Sequence, residues 1–147
     1  MNKKLIEQLY NSRLLRTREE LEEFEESLKE ISKEIQENDI PELCKVFDDQ
    51  TENEEVMFGL IHLIESFSSE KAFKLTTLAI SQMLENAMNW AKIIIYRCLN
   101  DDFSRIMLKK AVGSADSKTK QTMKSLLNSI KIEDYDKFGL LIDEILE

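Results

Sequence analysis

The strongest constraint on the fold is the spacing of the apolar residues, which recur at steps of three and four. One stretch carries an apolar stripe of five such positions, Leu21, Phe24, Leu28, Ile31 and Ile35. This spacing places side chains on one face of an α-helix, whereas a half-buried strand would alternate apolar and polar residues. Only 3 glycines and 1 proline interrupt the 147 residues, and the hairpin dipeptides Asn-Gly and Asp-Gly are absent. An all-α fold is therefore predicted.

Capping residues divide this pattern into helices. Thr17 and Glu20, like Thr51 and Glu54, stand in the Thr-x-x-Glu spacing of a capping box, which predicts a helix start at each. Gly113 fits the left-handed position after a helix, and Ser114 is expected to cap the next one. The helices are predicted over residues 3–10, 17–38, 39–47, 52–66, 69–84, 86–99, 102–112, 115–130 and 133–146.

From residue 52 onward the predicted helices pair with a period of about 31–33 residues, which is typical of stacked helical hairpins. The pairs are 52–66 with 69–84, 86–99 with 102–112, and 115–130 with 133–146. A HEAT-like α-solenoid and an irregular helical bundle are both compatible with this pattern. Residues 1–147 are expected to form one all-helical domain, with acidic N-terminal helices in 1–50 and paired helices in 52–147. Gly59 inside a helix would be explained by a close helix–helix approach.

The cysteines and the apolar runs of the chain indicate the compartment in which the protein resides. Cys44 and Cys98 lie in predicted helices without metal-ligand spacing, so buried reduced thiols are expected. No signal peptide is recognisable, and no apolar run reaches the roughly 20 residues of a membrane span. A cytoplasmic protein without membrane contact is predicted.

Negative charge is concentrated in one part of the chain. The formal net charge is −9, yet residues 17–55 alone carry 4 basic and 16 acidic side chains, a net −12. Five of these carboxylates crowd into residues 47–55, the acidic segment. Such a field repels nucleic acid and steers basic proteins toward the surface. A solvated helix face explains the same charge equally well.

The sequence contains no recognisable catalytic arrangement. The one histidine, His62, lies in an apolar stretch, and no nucleophile has a base in a known motif. The acidic segment lacks the alternating ligands and the turn glycine of a calcium loop. We therefore expect no enzymatic activity, no metal and no cofactor. An enzyme would need His62 and a carboxylate such as Glu65 to line a cleft.

Three stretches resemble a known family. They are Leu43-Cys44-Lys45-Val46-Phe47-Asp48-Asp49-Gln50-Thr51-Glu52-Asn53-Glu54-Glu55-Val56-Met57-Phe58-Gly59-Leu60-Ile61-His62-Leu63-Ile64-Glu65, Leu9-Tyr10-Asn11-Ser12-Arg13-Leu14-Leu15 and Thr17-Arg18-Glu19-Glu20-Leu21. Together they are similar to the immunity protein 30 family, the small all-α antidotes encoded beside toxins of bacterial polymorphic toxin systems. The resemblance covers about the first half of the chain.

This resemblance implies a protein that binds the toxic domain of a cognate effector in the cytoplasm and neutralises it. A basic nuclease is one class of toxin that such a protein would inhibit. The negative charge then suggests which residues face the toxin. We predict a partner-binding surface made of Asp48, Asp49, Glu52, Glu54 and Glu55, with Glu22, Glu23 and Glu26 beside it. The alternative is a HEAT-like scaffold or adaptor that binds another protein or peptide.

Overall fold

The computed structural model describes residues 2–147, which form nine α-helices, one short 3₁₀ helix and no β-strand. The helices are α1 (Lys3–Asn11), α2 (Arg18–Ser32), α3 (Ile40–Cys44), α4 (Glu54–Glu65), α5 (Glu70–Gln82), α6 (Leu84–Leu99), α7 (Asp102–Ser114), α8 (Ser117–Glu133) and α9 (Tyr135–Leu146), and the 3₁₀ helix (Glu37–Asp39) precedes α3. The prediction of an all-α fold is confirmed.

The helices stack in two rows. In one row α5 packs between α3 and α7, and these are its most extensive contacts. In the other row α2 packs on α4, and α4 meets α6 where the rings of Phe58 and Trp90 lie 5.4 Å apart, edge to face. The last two helices pack on each other and across α5, α6 and α7. Of the three predicted hairpins, α6–α7 and α8–α9 are packed pairs. The predicted pairing of α4 with α5 was wrong, because α5 packs mainly on α3 and α7.

The rows enclose a continuous apolar core that extends from Leu9 in α1 to Ile145 in α9. The helices contribute apolar residues from one face, such as Phe24 and Ile31, which lie about two turns apart on α2 and are fully buried. Gly59 marks a close approach between helices, because a Cβ atom there would lie 3.0 Å from Cδ2 of Leu28 in α2. This confirms the reason expected for a glycine inside that helix.

Several predicted boundaries between α2 and α4 were wrong, including the end of α3, which lies at Cys44 rather than at residue 47. The second helix ends at Ser32 rather than near residue 38. The chain forms a turn directly after Ser32, and Ile35 packs on the core although it lies outside the helix. The cap of α4 is Asn53, whose side chain accepts from the Val56 N–H. Thr51 does not cap, because its hydroxyl donates to the carbonyl of Arg13.

The boundary between α7 and α8 lies two residues beyond its predicted position. The seventh helix continues through Gly113, which does not adopt a positive φ, and ends at Ser114. The cap of α8 is Asp116 instead of Ser114, with its carboxylate accepting from the Thr119 N–H and hydroxyl at 2.9 and 2.8 Å. The charged Asp116 carboxylate is a stronger hydrogen-bond acceptor than the Ser114 hydroxyl for the free N–H groups at the start of the helix. For this reason α8 begins after Asp116.

Both cysteines carry free thiols. Cys44 is buried in α3, and Cys98 is mostly buried in α6. Burial raises the pKa of each thiol to about 12 because it disfavours the thiolate. Across residues 2–147, none of the helices is long and apolar enough to cross a membrane.

Candidate partner-binding surface

Asp49, the second carboxylate of the acidic segment, caps a helix that lies elsewhere in the chain. Within α6 the backbone departs from helical geometry at Ala87, with φ −144° and ψ 43°, so the regular part of the helix begins just after it. The Asp49 carboxylate accepts from the N–H groups of Asn89 and Trp90 at 3.1 and 3.4 Å. These are free donors at a helix N-terminus, where a carboxylate is favoured.

Asp48 ties the acidic segment to two other parts of the molecule. Its carboxylate lies 3.3 Å from Nε of Arg13, with both side chains largely shielded from solvent. Its carbonyl accepts from the indole N–H of Trp90 at 3.1 Å. The Glu52 N–H donates to the Leu14 carbonyl at 2.9 Å, which adds a further tie to the linker between α1 and α2. The segment is therefore a fixed loop, and two of its five carboxylates are part of what fixes it.

The other three carboxylates of the segment point into solvent. Glu52, Glu54 and Glu55 are exposed, and none of them forms an ion pair within the part of the chain that the structure describes. Glu52 acts on Arg16 through its charge alone. Hydrogen bonds to Glu20 raise the pKa of the Arg16 guanidinium most, and the negative charge of Glu52 raises this pKa further. Glu54 and Glu55 occupy the first turn of α4, where the helix macrodipole favours negative charge. We call these three residues the α4 glutamates, because Glu54 and Glu55 begin α4 and Glu52 lies just before its cap.

The acidic residues predicted on α2 line a groove of their own. Glu22, Glu23 and Glu26 lie with Glu19 and Glu30 along a shallow groove of about 340 Å³ between α1 and α2, the glutamate groove. All three predicted residues are exposed. One of them has a basic neighbour, since Glu22 pairs with Arg18 at 3.1 Å in full solvent. Such a pair contributes little to stability.

The glutamate groove and the α4 glutamates lie on different flanks of α2. Leu28 faces α4, where it contacts Gly59, whereas Glu23 and Ser27 face α1. At about 100° per residue, Glu23 and Leu28 are roughly 140° apart around the helix. The eight predicted residues thus fall into three groups: Asp48 and Asp49 in a fixed loop, the three α4 glutamates, and the three groove residues on the far flank.

A further concave site was not predicted from the sequence. A cleft of about 520 Å³ opens where α4 and α6 end and α5 and α7 begin. Its apolar walls include Phe67, Phe73 and Phe103, and we call it the phenylalanine cleft. The rings of Phe73 and Phe103 meet edge to face at 6.1 Å. The three rings come from separate positions in the chain, so no local pattern indicates that they converge.

His62 and Glu65, which an enzyme would need in one cleft, do not line the phenylalanine cleft together. His62 is exposed on α4, with its ring 6.4 Å from that of Phe58. Glu65 lines the phenylalanine cleft, where it is held by Arg97 through two hydrogen bonds of 2.7 and 2.8 Å. Among residues 2–147, no three His, Cys, Asp or Glu side chains are grouped so that they could hold a metal ion.

No curated protein sequence and no solved structure gives a match. The family model of immunity protein 30 matches residues 11–108, which include α2 to α6 and the start of α7. The match covers about two thirds of the chain and contains the acidic segment, α2 and the phenylalanine cleft. This chain therefore belongs to the immunity protein 30 family.

Proposed function

We propose that this protein neutralises a cognate bacterial toxin by binding the toxic domain directly, with no chemical step of its own. The observation that carries the proposal is the match of the immunity protein 30 family over residues 11–108. The surface supports it, because the α4 glutamates are exposed, free of ion pairs among the described residues and located where a fixed loop enters α4. A preorganised charged surface loses little conformational entropy on binding.

The charge of this surface suggests the chemistry of the toxin. Exposed carboxylates steer a basic protein toward them and can occupy a cationic site that otherwise binds phosphates. A nuclease is the toxin class that fits this best. We propose that the α4 glutamates form the principal contact and that Glu22, Glu23 and Glu26 form a flanking one. Asp48 and Asp49 contribute charge and hold the loop in place.

Co-expression with the toxin domain encoded beside this gene tests the function. We expect growth to be rescued and a complex to be isolated whose affinity falls steeply from low to high salt. Rescue with little salt dependence would contradict an electrostatic contact while leaving the function in place. Neither rescue nor complex would favour the scaffold or adaptor alternative.

Charge reversal tests the site. The triple variant Glu52→Lys, Glu54→Lys, Glu55→Lys is expected to weaken the complex by about 10- to 100-fold, mainly through slower association. The same reversal at Glu22, Glu23 and Glu26 should have a smaller effect. A matched control reverses three exposed carboxylates of the C-terminal region, Asp136, Glu144 and Glu147. If this control weakens binding as much as the α4 triple, net charge rather than a local contact governs the affinity.

A further inference from the structure

The phenylalanine cleft leaves apolar surface open to water. The Phe103 side chain is 52% exposed, although it lies at the beginning of a helix within a well-packed stack. One edge of its ring rests on Phe73, and the cleft beside it has a volume of about 520 Å³. This volume falls in the roughly 300–1,000 Å³ range of sites that take up ligand groups. A partner side chain that filled the cleft would remove this apolar surface from water.

The rim of the cleft carries a net negative charge. Glu65 and Arg97 neutralise each other through their paired hydrogen bonds. Asp101 caps α7 by accepting from the Ser104 N–H and hydroxyl at 2.9 and 2.8 Å, and it forms no ion pair within residues 2–147. The nearby Arg105 is engaged by Asp102 and by the Leu99 carbonyl. The rim therefore complements a basic group next to an apolar one.

The cleft continues the surface that begins at the α4 glutamates. Along α4 the exposed positions include Glu55, His62 and Glu65, which lie within about 80° of one another around the helix. Glu65 is also part of the cleft lining. Ten residues of helix separate Glu55 from Glu65, a distance of about 15 Å. One face of a partner can therefore contact both ends of α4.

We infer that the phenylalanine cleft is the apolar anchor site of the toxin interface, and that it receives a large apolar side chain of the toxin next to a basic residue. This inference rests on the proposed function and adds the part of the interface that carries most affinity. Interface affinity is concentrated in a few large side chains buried in pockets, while charged rims chiefly set the association rate.

Removal of the cleft wall tests the anchor. The full chain carrying Phe103→Ala is expected to bind the catalytically inactivated toxin domain encoded beside this gene about 10- to 100-fold more weakly, mainly through faster dissociation. The matched control is Leu140→Ala, which removes another large apolar side chain, 76% exposed on α9 and outside residues 11–108. This control should change the affinity by less than about twofold.

Two further variants guard against an indirect effect on folding. Ser68→Trp inserts a bulky ring at an exposed rim position and removes no packing, so it should block the cleft and weaken binding by at least about tenfold. Asp101→Asn keeps the helix cap but removes the rim charge, and a loss of about two- to fivefold is expected. Circular dichroism and urea denaturation establish that each variant is folded.

The outcomes separate this inference from the proposed function. If the wild-type chain forms no complex with the toxin domain, both are wrong. If it forms a complex and Phe103→Ala and Ser68→Trp bind as tightly as Leu140→Ala, the cleft is not the anchor while the function is retained. Weaker binding of both cleft variants with an unchanged control would support the anchor.

Discussion

Two acidic regions of this protein have similar compositions and different physical roles. The acidic segment crosses from α3 to α4, and its first two carboxylates are engaged within the molecule: Asp49 caps α6, and Asp48 pairs with Arg13. The glutamate groove on α2 instead exposes its carboxylates to solvent, apart from surface pairs such as Glu22 with Arg18. Negative charge is thus part of the fold in one region and a solvated surface in the other.

A cluster of acidic residues therefore has to be divided by its hydrogen bonds before a binding role is assigned to it. A carboxylate that accepts backbone N–H bonds contributes to stability, so its substitution changes the fold and the binding together. An exposed carboxylate without such bonds can be substituted with little change in stability, and its effect on binding is then direct. The free energy of unfolding of suitable variants separates these two classes of carboxylate.

The largest effect is expected for Asp49→Ala. The substitution leaves the N–H groups of Asn89 and Trp90 without their acceptor and removes the carboxylate from the start of the regular part of α6. Loss of a helix cap of this kind should lower the free energy of unfolding by about 1–2 kcal/mol. Urea denaturation followed by circular dichroism measures it.

The matched control for this prediction is Glu52→Ala, three residues along the same segment and exposed. Its free energy of unfolding should stay within about 0.5 kcal/mol of wild type, because an exposed side chain without a cap role contributes little. Equal losses in both variants would mean that the distinction between the two carboxylates is wrong.

The next largest effect concerns the pair of Asp48 and Arg13. Their side chains are 15% and 22% exposed, so solvent screens the pair less than a fully exposed one, and Nε lies 3.3 Å from the carboxylate. A double-mutant cycle with Asp48→Asn and Arg13→Gln should give a coupling energy of about 0.5–1 kcal/mol. The same cycle on Arg18 and Glu22, which are 88% and 68% exposed, should give a coupling close to zero. A larger coupling energy for Arg18 and Glu22 than for Arg13 and Asp48 would contradict this prediction.

The sequence was sufficient to predict the helices but not always where they start. Apolar spacing and the scarcity of glycine and proline predicted the all-α fold, and Thr17 caps α2 as expected, with its hydroxyl accepting from the Glu20 N–H. The cap of α4 was wrong because Thr51 and Asn53 both offer a suitable side chain. A bond from Thr51 to the distant Arg13 carbonyl decides between them, and sequence spacing does not contain that contact.

The candidate site was predictable only in part, for a similar reason. Local charge density pointed to the α4 glutamates and to Glu22, Glu23 and Glu26, which are exposed in the structure. The same density could not separate Asp48 and Asp49 from them, because their partners on α6 and near Arg13 are about 35–42 residues away along the chain. The phenylalanine cleft was missed because four helices have to pack before its walls exist.

Acid pH extends the comparison to two further capping carboxylates, Asp101 and Asp116. Hydrogen bonds from the side chain and backbone of Ser104 lower the pKa of Asp101, and those from the backbone and side chain of Thr119 lower the pKa of Asp116. A carboxyl with a lowered pKa in the folded state stabilises the fold above its unfolded pKa, near 3.8, and this contribution is lost as the pH falls through the folded value.

The variants Asp101→Asn and Asp116→Asn retain a capping acceptor but do not titrate. Their stability near neutral pH should therefore stay close to that of wild type, while the loss of stability below about pH 4 becomes less steep. Urea denaturation at a series of pH values measures the slope. If both variants lose stability below about pH 4 as steeply as wild type does, these caps do not contribute to that loss.

The smallest effect is expected for the triple variant Glu22→Gln, Glu23→Gln, Glu26→Gln. These positions form like-charge neighbours four residues apart, within the triple and with Glu19 and Glu30, and each such pair costs about 0.2–0.5 kcal/mol. The variant also loses the exposed pair of Glu22 with Arg18. The free energy of unfolding should rise by about 0.5 kcal/mol or less at low salt and remain unchanged at high salt, because salt screens the repulsion. Urea denaturation at both salt concentrations tests this, and a loss above about 1 kcal/mol would mean that the glutamate groove, like Asp48 and Asp49, is part of what holds the fold together.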